Sequence, residues 1–83
     1  MNIQDILNER EKTHGNYSEQ SCTAQALKSV LHEMPNWDNM QPSMREGLEL
    51  ICTKIARMGH GNCYEVDHPK DIAGYAELIA REL

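Results

Sequence analysis

The sequence predicts an all-α fold, a compact domain of four helices in which a short first helix precedes three longer ones. Apolar residues recur at helical rather than alternating spacing. The chain also contains no Phe and one Trp, which leaves Ile, Leu, Val, Met and Ala to form the core. Strands favour β-branched and aromatic residues, so this composition favours helices. With 83 residues and no linker or low-complexity segment, residues 1–83 are expected to form a single domain.

The charge and the cysteines exclude several classes of protein. A net charge of −5 without any basic run argues against binding to nucleic acid. No apolar run approaches the length of a membrane span, and the first residues do not resemble a signal peptide. Three widely spaced cysteines do not form a disulfide framework, so a cytoplasmic location is expected.

A chain this small is marginal as a monomer, and a homo-oligomer is therefore expected.

The first two helices are predicted over residues 3–11 and 18–34. Asn2 is the expected N-cap of the first helix, and Ser18 is the expected N-cap of the second. Gly15 lies in the turn between them, because glycine tolerates the backbone conformation that ends helices.

The third helix is predicted to begin at a capping box formed by Ser43 and Glu46 and to run through Met58. Pro35 ends the second helix before it, because the residue preceding a proline avoids the helical conformation. Trp37, in the connection between the two helices, is expected to cover one end of the core. The third helix has apolar residues beyond one face, which predicts a central position with neighbours on more than one side.

The fourth helix is predicted to start near His68, with Asp67 as its N-cap and Pro69 in its first turn. In each helix the residues expected to form the core share one face. They are Ile3, Ile6 and Leu7 in the first helix, Ala24, Leu27, Val30, Leu31 and Met34 in the second, Met44, Leu48, Ile51, Ile55 and Met58 in the third, and Ile72, Ala76, Ile79 and Leu83 in the fourth.

Four carboxylates on the last two helices have the spacing of a metal site. Glu46 and Glu49 are three residues apart, and Asp67 and Asp71 are four apart, so each pair shares a helix face. If the two helices pack antiparallel, the pairs face each other, and Mg²⁺ prefers such oxygen ligands. The alternative is that the four residues cap helices, complement the helix dipole or are simply solvated.

Two cations and three rings could complete a nucleotide site. Lys54 and Arg57 could hold phosphate oxygens, Arg57 with bidentate geometry. His14, Tyr17 and Tyr75 could contact a base or sugar. The alternatives are that the cations complement the dipole at the C-terminal end of their helix, and that the rings pack in a turn or in the core.

Several segments together resemble a family of small phage and prophage proteins, and the resemblance covers nearly the whole chain. The segments include Lys12-Thr13-His14-Gly15-Asn16-Tyr17, Arg45-Glu46-Gly47-Leu48-Glu49, Lys54-Ile55-Ala56-Arg57 and Asp71-Ile72-Ala73-Gly74-Tyr75-Ala76. The most specific are the histidine-glycine turn, the Lys-Ile-Ala-Arg segment and the Asp-Ile-Ala-Gly-Tyr-Ala segment. That family is in turn similar to the all-α NTP pyrophosphatases of the MazG-like type.

The resemblance implies a Mg²⁺-dependent hydrolase that cleaves nucleoside triphosphates to monophosphates and builds its site from paired subunits. Glu46 and Glu49 match the Glu-x-x-Glu motif of those enzymes, which implies catalytic and metal-binding roles. Asp67 and Asp71 stand where a Glu-x-x-Asp motif is expected, but as Asp-x-x-x-Asp. This extra residue rotates the second ligand by about 100°.

A second hypothesis is a protein that binds without catalysis. Such a protein would sequester a nucleotide signal, or would inhibit a host protein by direct binding. Metal-dependent turnover distinguishes the enzyme from both binding proteins, and nucleotide binding without turnover distinguishes sequestration from inhibition of a protein.

Overall fold

Four α-helices account for most of the chain: α1 (Ile3–His14), α2 (Tyr17–His32), α3 (Pro42–His60) and α4 (Asp67–Arg81). A single 3₁₀ turn, Trp37–Asn39, lies between α2 and α3. The computed structural model describes residues 2–83, which contain no strand. The predicted all-α architecture, with a short first helix and three longer ones, is confirmed.

Asparagine side chains start the first two helices. Asn2 Oδ1 accepts a hydrogen bond from the amide of Asp5, as predicted. Asn16, rather than Ser18, caps α2, where its Oδ1 accepts from the amide of Glu19. The helix α1 runs one turn further than predicted because nothing before Gly15 interrupts it, and α2 ends two residues earlier, at His32.

The predicted capping box at Ser43 and Glu46 is wrong. The helix α3 begins at Pro42, and the side chain of its N-cap, Gln41, makes no capping hydrogen bond. Proline is suited to the first helical position because it has no amide hydrogen to satisfy there. The guanidinium of Arg45 holds the preceding turn instead, donating to the carbonyl oxygens of Trp37 and Asp38 at 3.1 Å.

The last boundaries also differ from the prediction. The helix α3 continues past Met58 to His60, so the first of its two glycines does not stop it. Asp67 is the first residue of α4 and not its N-cap, a position taken by Val66. Glu65 supplies the hydrogen-bond acceptors at this end of the helix. Its carboxylate accepts from the amide of Asp67, and its carbonyl accepts from the amide of His68.

The helix α3 lies in the middle, with α2 and α4 packed against it from different sides, as its apolar pattern predicted. Gly47 meets α4 closely, since a Cβ there would lie 2.8 Å from the side chain of Ile79. Two other residues of α3, Glu49 and His60, contact side chains of α2. They lie about 200–220° round the helix from Gly47, on its other side. The three longer helices therefore form a layer, and α3 keeps two uncovered strips between its neighbours.

The buried core is small. Its apolar members are Ala24, Cys52, Ala56 and Trp37. Trp37 is 9% exposed and stacks at a tilt on His32, with 4.9 Å between ring centroids, as expected of a residue that covers one end of the core.

The predicted core stripes are not buried throughout. Ile3, Leu7, Val30, Met34 and Ile55 are exposed to solvent. No residue of α1 is buried. A single layer of helices covers only the sides along which the helices touch, so apolar residues on its faces stay open.

Among residues 2–83, no helix combines the length and the apolar composition that a membrane span requires.

Candidate functional site

A groove of about 600 Å³ lies between α1 and the start of α2, a volume within the range of ligand pockets. One wall is a face of α1 that includes Leu7, and the other is the first turn of α2, with Tyr17. Side chains with polar ends complete the groove. They are Gln4, Asn8, Arg10, Glu11, His14, Asn16, Ser18, Gln20 and Arg57.

Two glycines hold the walls of this groove in place. Gly15, between α1 and α2, has φ +84° and ψ −178°, a region that is essentially restricted to glycine. A Cβ at Gly15 would collide with the backbone of His60, and one at Gly61 would collide with the backbone of Thr13. The α1–α2 turn can therefore lie directly on the end of α3, where the amide of Asn62 donates to the carbonyl of Thr13 at 3.0 Å.

A buried histidine makes a second tie to the same carbonyl. His68 is 2% exposed, and its Nε2 donates to Thr13 O at 3.2 Å. A carbonyl oxygen can only accept, so this contact requires the proton on Nε2. The ring of His68 also lies 5.4 Å, between centroids, from that of His14. The first turn of α4 thus fixes the last turn of α1.

The groove ends in a cluster of basic side chains around His14. Burial lowers the pKa of His14 from its usual value of 6.5, and the neighbouring charges of Arg57, His68, Lys54 and Arg10 lower it further. None of the groups that shift this pKa is a carboxylate. In a chain with a net charge of −5, basic side chains therefore gather at this end of the groove, which Glu11 also lines.

Arg57 reaches this cluster from α3 and lines the groove. Its Nε is buried and has no hydrogen-bond partner within residues 2–83. A buried guanidinium nitrogen without an acceptor is unfavourable, and an ordered water, an ion or a ligand could supply one.

Lys54 and Asp71 form an ion pair beside the cluster. Lys54 Nζ lies 2.9 Å from Asp71 Oδ2, across the α3–α4 contact. The hydrogen bond from Lys54 lowers the pKa of the Asp71 carboxyl, and the charges of Lys54, His68 and Arg57 act in the same direction. Lys54, predicted to hold phosphate, is engaged with a residue predicted to hold metal.

The predicted carboxylates face different neighbours. Glu49 accepts a hydrogen bond from His32 Nε2 at 2.9 Å on the α2 side of α3, whereas Asp71 is paired on the α4 side. Glu46 and Asp67 are exposed. Nowhere in residues 2–83 do three His, Cys, Asp or Glu side chains group as a metal ion would require. Within one chain, the four predicted carboxylates are therefore not brought together in one place.

The predicted nucleotide-binding residues divide into three groups. His14, Tyr17 and Arg57 share the groove. Lys54 lies close enough to His14 to lower its pKa. Tyr75 lies elsewhere, in a shallow depression on α4 that it shares with Asp71.

The sequence interpretation missed Arg10 and Gln20, which also line the groove. It ended the first helix at residue 11 and so placed His14 in a turn. Continuing the helix to Gly15 sets Leu7, Arg10, Glu11 and His14 at spacings of three and four, on one face. That pattern of positions would have indicated the α1 wall of the groove.

Searches against family models, curated proteins and solved structures found no match for this chain.

Proposed function

We propose that this protein binds a nucleotide, or a related ligand that joins phosphate to an aromatic base, in the groove between α1 and α2. The observation that carries the proposal is the cluster of Arg10, His14 and Arg57 at a groove of about 600 Å³ in an acidic chain. The ligand would be held without cleavage. In the phage setting that the sequence resemblance implies, it would be a sequestered nucleotide signal.

Arg57 is the proposed phosphate ligand. An arginine offers several donors in a planar fork that matches phosphate oxygens. A phosphate beside Arg57 would offer acceptors to its guanidinium, whose buried Nε has no partner within residues 2–83. The first-turn amides of α2, at Tyr17 and Ser18, have no intrahelical acceptor and lie on the same groove, where the helix dipole favours an anion.

Tyr17 is the proposed contact for the base. Its side chain is 79% exposed although it lines the groove, so one face of the ring is free to stack. Leu7 on the opposite wall is 51% exposed and offers an apolar surface. Aromatic stacking with a base contributes about 1–3 kcal/mol in other proteins.

Thermal unfolding with a panel of nucleotides tests this proposal. A ligand present at 100 times its dissociation constant should stabilise the fold by about 2.7 kcal/mol. We expect Arg57→Gln to abolish the shift. Arg81→Gln, the same substitution at an exposed arginine outside the groove, should retain it. The shift should persist in EDTA, because no metal takes part.

Three outcomes would contradict the proposal. The first is no shift with any nucleotide, which would leave inhibition of a protein partner as the alternative. The second is an equal shift in Arg57→Gln. The third is a shift that requires Mg²⁺ and is accompanied by release of pyrophosphate, which would favour the hydrolase. Inorganic phosphate alone should compete weakly, since it lacks the base that Tyr17 would contact.

A further inference from the structure

We propose that a second copy of this chain packs against the open apolar strip of α3, on the side of the layer away from the groove. This apolar strip consists of Met44, Leu48, Ile51 and Ile55. At about 100° per residue they fall within about 60° of one another. Ile55 is 45% exposed, and the other three are partly exposed.

The centre of the apolar strip is directed between the two neighbouring helices, and Ile51, about 40° from Gly47, borders the α4 contact. Gly47 and Lys54 mark the side of α3 that meets α4, and Glu49 marks the side that meets α2. The apolar strip lies between these two sides. Arg57, which lines the groove, is about 160° round the helix from Ile55. The groove and the apolar strip are therefore on opposite faces of the layer.

The neighbouring helix α2 widens this apolar face. Val30, 57% exposed, is about 140° round α2 from Tyr17, which faces the groove. Met34, just beyond the end of α2, is 46% exposed.

The exposed area of the chain fits one missing partner. The surface of the chain is 5881 Å². A folded monomer of 9.5 kDa exposes roughly 5,050 Å². The excess of roughly 800 Å² is comparable to what each partner contributes to a standard interface.

The composition of the apolar strip is compatible with a second copy as the partner. Two copies of a chain with a net charge of −5 repel each other, and this repulsion is smallest where the contact itself carries no charge. The apolar strip contains no charged residue. Glu46 is about 160° from Leu48, so it is directed away from the contact. A strip running along one helix can pair with itself about a twofold axis, the commonest symmetry of homo-oligomers.

Sedimentation equilibrium tests the dimer. The wild-type chain should have twice its mass of 9.5 kDa at micromolar concentration. Its melting temperature should rise with protein concentration, because association stabilises only the folded state. Ile55→Glu would place a carboxylate in the contact and should raise the dissociation constant at least about 100-fold. Because Ile55 is 45% exposed in the single chain, the variant should keep its helical circular dichroism.

Leu78→Glu is the matched control. Leu78 is 55% exposed and lies near Asp71 on the polar side of α4, so this variant should remain dimeric. A monomeric wild-type chain with a melting temperature independent of concentration would overturn the proposal. So would a dimer that Leu78→Glu dissociates and Ile55→Glu does not. Neither residue lines the groove, so loss of the dimer and loss of ligand binding are measured separately.

Discussion

At the scale of single residues, the lowered pKa of His14 makes the stability of the fold depend on pH. Burial, followed by the charge of Arg57, lowers its pKa below the usual 6.5. In the unfolded chain the ring is free of these neighbours and binds a proton more readily. As the pH falls below about 6.5, the unfolded state therefore gains protons before the folded state does, and the folded state loses stability.

We therefore expect His14→Gln to make the fold less sensitive to acid. The free energy of unfolding of the wild-type chain should decrease between about pH 7.5 and pH 5, and the decrease should be smaller in the variant because the shifted group is gone. Urea titrations at a series of pH values measure this difference. Parallel curves for the two proteins would show that His14 is not the group responsible.

At the scale of elements, the contact between the α1–α2 turn and the end of α3 depends on glycine. Gly15→Ala should destabilise the fold by about 2 kcal/mol or more, because a Cβ strains a backbone region restricted to glycine and meets the carbonyl of His60. Gly74→Ala is the control, since its Cβ would meet nothing within 4 Å. It should stabilise α4 by about 0.5–1 kcal/mol.

Chemical denaturation of the two variants decides the point. If Gly15→Ala and Gly74→Ala changed stability by the same amount, the close contact between the α1–α2 turn and α3 would not matter to the fold. Nucleotide titration of Gly15→Ala adds a second measurement, because a displaced turn should also misplace Tyr17 on the groove wall.

Helical periodicity made the elements predictable, whereas their ends depended on contacts distant in sequence. The four helices, the central position of α3 and the N-cap at Asn2 followed from local patterns. The capping box at Ser43 failed because Pro42 already provides a first helical residue and Arg45 holds the preceding turn. Spacing alone cannot show which cap a tertiary contact will favour.

The candidate site was predictable in part for a similar reason. His14 and Tyr17 were identified from a short motif, and the fold brings Arg57 to them from α3. The carboxylates were grouped by spacing within each helix. Their separation depends on which neighbour each face of α3 meets, and that is a property of the packing. Glu49 meets α2, and Asp71 meets Lys54.

At the scale of the whole molecule, charge and apolar surface lie on opposite faces of one layer. The groove face has the basic cluster, and the other face has the apolar strip. Salt acts differently on the two, because it screens charges and leaves apolar contacts in place. The net charge of −5 also repels a second copy, and screening weakens that repulsion.

We therefore expect salt to weaken ligand binding and to leave self-association unchanged or stronger. Raising the salt from about 0.1 M to about 1 M shortens the Debye length from about 10 Å to about 3 Å. The affinity for the nucleotide, measured by titration calorimetry, should fall several-fold, since the proposed phosphate contact with Arg57 and its basic neighbours is ionic. The dimer dissociation constant, measured by sedimentation, should stay constant or decrease. If salt dissociated the dimer, its contact would be ionic, and the apolar strip could not be the interface.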